Sequence, residues 1–141
     1  MRQRGSNHMH VGHDSEHTAG AFWKALALIM LVNGTLGLAA PRFLIRQVGA
    51  DPDAESGMIY VLRMFGIRTL FIAIDLFRLP AQREQSLREG VVVHATDAGA
   101  AFTAAMLGQL PLRPALMATS ISVVNTALAV LGVRAYARGR R

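Results

Sequence analysis

Apolar residues along this chain gather in four long blocks rather than at the spacing of an amphipathic helix. The blocks cover roughly residues 21 to 40, 57 to 79, 90 to 110 and 114 to 135, and a helix needs about 20 residues to cross the hydrocarbon core of a membrane. Short links between the blocks make successive spans antiparallel. The pattern therefore predicts an all-α fold, an integral membrane up-down four-helix bundle.

Polar segments divide the chain into three parts around these spans. Residues 1–20 are polar and are predicted to be disordered, and residues 136–141 form a basic tail. Residues 21–135 form the predicted four-helix domain, with the turn-rich loop RFLIRQVGADPDAES after its first span. A cleaved signal peptide is the rival interpretation of the first block. We expect a span instead, because LAA followed by Pro41 is a poor cleavage site.

The composition agrees with a membrane protein and excludes some chemistry. Hydrophobic residues make up 52% of the 141 residues and charged residues 17%. The chain has no cysteine, which excludes disulfides and thiolate metal sites. The net charge of +6 lies mostly in the flanks of the apolar blocks, where basic residues more often set membrane orientation than bind nucleic acid. No nucleic-acid partner is therefore expected.

Basic residues are shared unequally between the two sides of the predicted bundle. Ten of the 15 Lys and Arg residues lie on the side that holds both termini and the second link, against three on the opposite side. The first group is Arg2, Arg4, Lys24, Arg78, Arg83, Arg88, Arg134, Arg138, Arg140 and Arg141, and the second is Arg42, Arg46 and Arg113. Because cytoplasmic flanks carry the excess, we expect both termini in the cytoplasm and the protein in the inner (plasma) membrane, among membrane lipids.

Ionisable and amide side chains inside the predicted spans are the candidate functional groups. At about 1.5 Å per residue, Asp75 and His94 lie roughly 6 Å from the cytoplasmic ends of their helices. Asp97 lies roughly 10 Å deep and Arg68 roughly 16 Å, close to the expected level of two asparagines. All four spans therefore contribute to one predicted polar layer. Its candidate ligand-binding residues are Arg68, Asp75, Asn33 and Asn125, and its candidate catalytic residues are Asp97 and His94.

Helical spacing places these groups on shared faces. Arg68 and Asp75 are seven residues apart and fall within about 20° of one face, and His94 and Asp97 are three apart. We expect Arg68 to reach Asp97 across the bundle. This face is predicted to look into the bundle and not at lipid, because intramembrane charges rarely face lipid.

Small residues are expected to let the helices approach closely enough for such contacts. Gly34, Gly37 and Gly66 remove bulk from the first two spans. Ala95 and Gly99 form a small-xxx-small pair on the third span. Each set predicts close helix packing.

Histidines cluster before the first span, in the segment HMHVGHDSEH. His8, His10, His13 and His17 with Asp14 and Glu16 are of the types that bind transition metals. Adventitious binding explains a polar segment of this kind equally well. Inside the spans no ligand spacing is diagnostic of a metal. We predict no metal site, and the sequence indicates no particular cofactor.

Three segments together resemble a group of small four-span bacterial membrane proteins, DoxX-like in layout. They are GTLGLAAPR at the end of the first span, LRMFGIRTLFIA in the second and HATDAGAAF in the third, and the likeness covers roughly residues 22 to 135. The resemblance implies the four-span fold and no settled activity. Gly66 and Arg68 match the group's GxR element, and Asp97 matches its acidic residue in the third span. The histidine-bearing leader departs from the group's compact start.

Two functions from different classes fit these observations. In the first, the polar layer binds a lipophilic small molecule, or the protein serves as a membrane-complex subunit or homo-oligomer. In the second, it is an intramembrane enzyme in which Asp97 and His94 act as general acid and base, in an isomerisation or cyclisation of a lipid, quinone or isoprenoid substrate. A structural ion pair between Arg68 and Asp97 that only fixes helix register is the alternative to both.

Overall fold

A computed structural model describes the backbone of residues 7–54, 56–78 and 80–139, with side chains from residue 20 to 138 within these ranges. All regular structure in this part of the chain is helical, as predicted. The helices are α1 (Asn7–Ala39), α2 (Pro41–Gln47), α3 (Ser56–Arg78), α4 (Arg83–Met106) and α5 (Leu112–Gly139), with a 3-10 turn (Pro80–Gln82) before α4.

Three helices in the described part are long and apolar enough to cross a membrane. They correspond to the first, second and fourth predicted blocks and cover Gly20–Ala39, Ser56–Arg78 and Leu112–Arg138. Such a set is typical of a multi-pass membrane protein.

α4 differs from the third predicted block, because it begins at Arg83 rather than near residue 90 and does not meet the same criteria of apolarity. Its first turns are charged, and pairs four residues apart support helix there. Arg88 contacts Glu84 at 2.9 Å, and Gln85 donates to Glu89 at 2.9 Å. The helix therefore starts before its apolar block does.

Two other segments are more helical than the sequence predicts. α1 begins at Asn7, inside the segment 1–20 for which we expect disorder. The described part of that segment contains no proline and continues the helix of the apolar span. α2 occupies the start of the predicted loop. Pro41 is at its N-terminus, a position that suits the fixed φ angle of proline. Ile45, one turn later, is fully buried. Gly49 follows α2 with a φ of 80°, which a glycine adopts without strain.

Glycines bring α1 and α3 into close contact. A Cβ atom at Gly66 would lie 2.6 Å from the backbone nitrogen of Leu38 and 2.7 Å from the carbonyl oxygen of Gly34. A Cβ atom at Gly37 would lie 2.9 Å from the carbonyl oxygen of Leu62. Later residues of α1 thus face earlier residues of α3, so the two helices are antiparallel. The predicted role of these glycines is confirmed.

The small pair Ala95 and Gly99 of α4 does not have that role. Ala95 and Gly99 are exposed, and a Cβ atom at Gly99 would meet nothing within 4 Å in the described part of the chain. The prediction of close packing through this pair is therefore wrong, because the opposite face of α4 is the one that contacts α5.

α4 and α5 form a second antiparallel pair. A Cβ atom at Gly90 would lie 3.9 Å from the Cβ of Ala129, and a Cβ atom at Gly132 would lie 3.0 Å from Leu87. One apolar core joins this pair to the first one. Its buried members are Trp23, Leu26, Ala27, Met30, Ala73, Leu76, Leu87 and Ala129, from all four long helices.

Contacts among the four long helices are uneven. α1 packs along α3 and α5, and α5 packs along α4, whereas α3 and α4 touch at few points. We call this loosely packed flank the α3–α4 side. Large apolar side chains cover much of the outer surface, for example Phe71 at 64% exposed, Val92 at 65% and Met106 at 71%. Apolar surface of this extent marks contact with lipid or with a partner.

Candidate functional site

An ion pair between Arg68 of α3 and Asp97 of α4 joins the two helices across the α3–α4 side. The Nη2 atom of Arg68 donates a hydrogen bond of 2.7 Å to Oδ2 of Asp97. The side chains are 48% and 26% exposed. The predicted contact is therefore present, and on the face predicted to look into the bundle Asp97 is half-buried whereas Arg68 is exposed. Because α3 and α4 touch at few points, the pair reaches the outer surface.

Arg68 stands at the edge of the face that α3 buries. Its neighbours Gly66 and Thr69 are buried, so the turn of the helix directs Arg68 towards the rim. The guanidinium carbon lies 5.3 Å from the centre of the Phe65 ring, a cation–π distance. Arginine carries five N–H donors, and in the described part of the chain one hydrogen bond of the Arg68 side chain is found. The guanidinium therefore has donors to spare.

His94 of α4 and Asn125 of α5 lie behind this pair and are both buried, at 4% exposed each. Gly90 lies opposite Ala129 in the antiparallel pair. His94 lies one turn after Gly90 on α4, and Asn125 lies one turn before Ala129 on α5. Because the two helices are antiparallel, the two side chains lie at the same height along the helix axes. The Nε2 atom of His94 and the Oδ1 atom of Asn125 have no hydrogen-bond partner in the described part of the chain. Such unsatisfied buried atoms cost about 1–3 kcal/mol each.

Further polar groups lie at the same level. Asn33 is half-buried and precedes Gly34 on α1. Since Gly34 faces Gly66 and Leu70 of α3, Asn33 lies at about the height of Arg68. Thr69, at 4% exposed, and Ser122, at 7%, are buried there too. Sequence reasoning missed these two hydroxyls. The signal for Ser122 was its position one turn before Asn125, on the same face of α5.

Asp75 does not join the polar layer. It is exposed, has no partner in the described part of the chain, and lies seven residues beyond Arg68 on α3, about 10 Å along the axis. His94 lies three residues before Asp97, the partner of Arg68, on α4. The equal depth of Asp75 and His94 stays a prediction.

Asp75 belongs instead to the end of the helices where Trp23 is buried. The guanidinium of Arg83 stacks 4.0 Å from the Trp23 ring, and its Nε atom donates a 2.8 Å hydrogen bond to the Leu76 carbonyl near the end of α3. Phe77 meets the same indole edge to face at 5.4 Å. This cluster ties α1, α3 and α4 together at one end.

In the described residues, no group of three or more His, Asp or Glu side chains comes together. The side chains of the histidine-rich segment before the first span lie outside the described part. That cluster remains a prediction of the sequence.

The arrangement is suited to holding the polar end of another molecule. Arg68 offers N–H donors, Asp97 offers a carboxylate oxygen, and His94 and Asn125 offer a ring nitrogen and an amide oxygen. Acid and base chemistry would need His94, whose Nε2 atom is buried, to reach a bound substrate.

Comparison with protein-family models, curated proteins and solved structures gave no match. The resemblance to DoxX-like proteins stays a prediction from the sequence, and function is argued from the site.

Proposed function

We propose that this protein is a four-span membrane protein whose polar layer binds the polar end of a lipophilic small molecule, reached from the lipid through the α3–α4 side. The observation that carries the proposal is the Arg68–Asp97 pair. It is half-exposed, has spare hydrogen-bonding groups and lies where two helices touch least. In hydrocarbon, polar groups without partners are costly. A bound polar group would remove that cost.

The fourth span of this proposal is α4. Its 24 residues give a length of about 36 Å, enough to cross the hydrocarbon core. α4 is less apolar than the other three spans, but it packs along α5, and this contact buries part of its surface. The exposed Thr96 donates its hydroxyl to the Val92 carbonyl at 2.7 Å, which suits a lipid-facing position. The layout is that of the DoxX-like proteins the sequence resembles.

The proposed orientation places the Trp23 end, with both termini, in the cytoplasm of a bacterial inner membrane. Lys24, Arg78 and Arg83 lie at that end. The other end holds fewer basic residues, namely Arg42, Arg46 and Arg113. The excess of Lys and Arg at the Trp23 end favours the cytoplasmic side for that end.

Native mass spectrometry of the detergent-extracted protein tests the proposal. We expect wild type to release a defined small molecule that Arg68→Ala and Asp97→Asn lose. Arg63→Ala is the matched control, because Arg63 is also an exposed arginine of α3 but lies about 7.5 Å from the layer. Circular dichroism shows whether each variant is folded. Equal ligand in all folded variants, or none in wild type, would contradict the proposal.

An intramembrane enzyme is the second candidate, favoured by the unpartnered Nε2 atom of His94 one turn from Asp97. In that case the bound molecule is a lipid, quinone or isoprenoid substrate, and the two residues act as general acid and base. His94→Gln should then keep the ligand but stop its conversion during incubation. The same spectra report whether the protein is a homo-oligomer or a subunit of a membrane complex.

A further inference from the structure

We infer that the ligand of this layer is an uncharged lipophilic alcohol, whose hydroxyl group hydrogen-bonds with His94 and Asn125 beside the Arg68–Asp97 pair. This inference rests on the proposed function and adds the chemical class of the ligand. It is carried by two observations: the charge balance of the layer, and the two buried polar atoms that lack partners.

The charge balance argues against an ionised ligand. Arg68 and Asp97 neutralise each other at 2.7 Å. The nearest other charged groups on α3, Arg63 and Asp75, lie about 7.5 Å and 10 Å from the layer along the helix axis. An anionic headgroup would add a second negative charge beside Asp97, and a cationic one a second positive charge beside Arg68. An uncharged polar end avoids this repulsion and loses little hydration on entering hydrocarbon.

The unpartnered atoms argue for a hydroxyl group in particular. With its proton on Nε2, His94 needs an acceptor, whereas Oδ1 of Asn125 needs a donor. A hydroxyl group accepts one hydrogen bond and donates another, so one hydroxyl group placed between these two level side chains would satisfy both atoms. An ether or ketone oxygen accepts only and would leave Asn125 unsatisfied. The rival occupant is a water molecule, which can also bridge two such groups.

Competition among three probes with one isoprenoid tail separates these possibilities. The probes are geranylgeraniol, its methyl ether and its monophosphate, added in equal amounts to purified protein and counted by native mass spectrometry. We expect wild type to bind the alcohol about tenfold better than the ether, the size of one well-formed hydrogen bond. We expect the monophosphate to bind more weakly than the alcohol.

Two variants test the two observations separately. Asn125→Leu should abolish the preference for alcohol over ether, because the acceptor is gone. Its control is Thr126→Val, since the Thr126 hydroxyl already donates to the Ser122 carbonyl at 2.7 Å. Asp97→Asn should shift binding towards the monophosphate, because Arg68 is then uncompensated. Its control is Asp75→Asn, which removes the same charge outside the layer and should keep the wild-type order.

The outcomes distinguish this inference from the proposed function. Equal binding of alcohol and ether by wild type would mean that water bridges His94 and Asn125, and a preference for the monophosphate would mean that the layer recognises anions. Either result overturns the inference and leaves the proposed function standing. Failure of wild type to bind any probe above the level of empty micelles would count against both.

Discussion

Replacing Gly66 by alanine should weaken the contact between α1 and α3 more than any other alanine substitution at a helical glycine. The new Cβ atom would lie 2.6 Å from the Leu38 nitrogen and 2.7 Å from the Gly34 oxygen, where ordinary contact starts at 3.4 Å. Both neighbours are backbone atoms, so no side chain can rotate away. The two helices must separate by roughly 0.8 Å at this point, the difference between 3.4 Å and the 2.6 Å contact.

The cost follows from that separation. Overpacking in a well-packed core costs about 1–3 kcal/mol, and two backbone contacts place Gly66→Ala near the upper end. Alanine regains about 1 kcal/mol through its helix propensity. The expected net loss in the free energy of unfolding is therefore about 2 kcal/mol. Gly34→Ala, limited by the Gly66 oxygen at 3.0 Å and the Leu70 nitrogen at 3.1 Å, and Gly37→Ala, limited by the Leu62 oxygen at 2.9 Å, should rank next.

Unfolding by sodium dodecyl sulfate in mixed micelles, followed by circular dichroism, measures this loss. Gly99→Ala is the matched control, because it is also inside a helix but nothing in the described part of the chain lies within 4 Å of the new atom. The control should be neutral or slightly stabilised. Unfolding of Gly66→Ala at the same detergent fraction as Gly99→Ala would refute the close crossing of α1 and α3.

Three further predictions concern other contacts. A double-mutant cycle on Arg68 and Asp97 should give a coupling energy of about 1 kcal/mol or more in the same unfolding assay, above the value for pairs exposed to water because the proposed pair faces hydrocarbon; a value near zero would mean that the pair does not stabilise the fold. Arg83→Gln should shift the fluorescence emission of the single tryptophan and cost about 1 kcal/mol, because it removes a cation–π contact and a carbonyl hydrogen bond; an unchanged spectrum would count against the stacking. In the cysteine-free chain, a cysteine at Ala50 should react with an impermeant maleimide in intact cells and one at Gln82 should not, whereas the opposite pattern would invert the proposed orientation.

Apolar length alone was enough to predict the membrane-spanning parts of α1, α3 and α5, because a run of about 20 apolar residues is long enough to cross a membrane as a helix. It misplaced the start of α4, since hydropathy does not register the Glu84–Arg88 support of a charged helical turn. It missed α2, which depends on Ile45 finding a buried site that only the tertiary fold supplies. Helix boundaries set by tertiary contacts are not encoded in local apolarity.

The sequence predicted which residues form the site better than it predicted how exposed they are. Opposite charges in neighbouring antiparallel spans, at similar depth, were enough to predict the contact of Arg68 with Asp97. Sequence periodicity does not reveal which pair of helices packs loosely, so the exposure of that contact was not foreseen. The burial of Trp23 was missed for the same reason, since its cover comes from Arg83, far along the chain.

The side-by-side placement of Arg68 and Asp97 has an electrical consequence in the proposed membrane. Moving one elementary charge through a potential of 100 mV changes its energy by about 2.3 kcal/mol. Two opposite charges in contact at 2.7 Å carry no net charge through the field when they move as a pair, and an uncharged ligand adds none. Occupancy of this site should therefore be indifferent to membrane voltage, and equal in energised and de-energised cells.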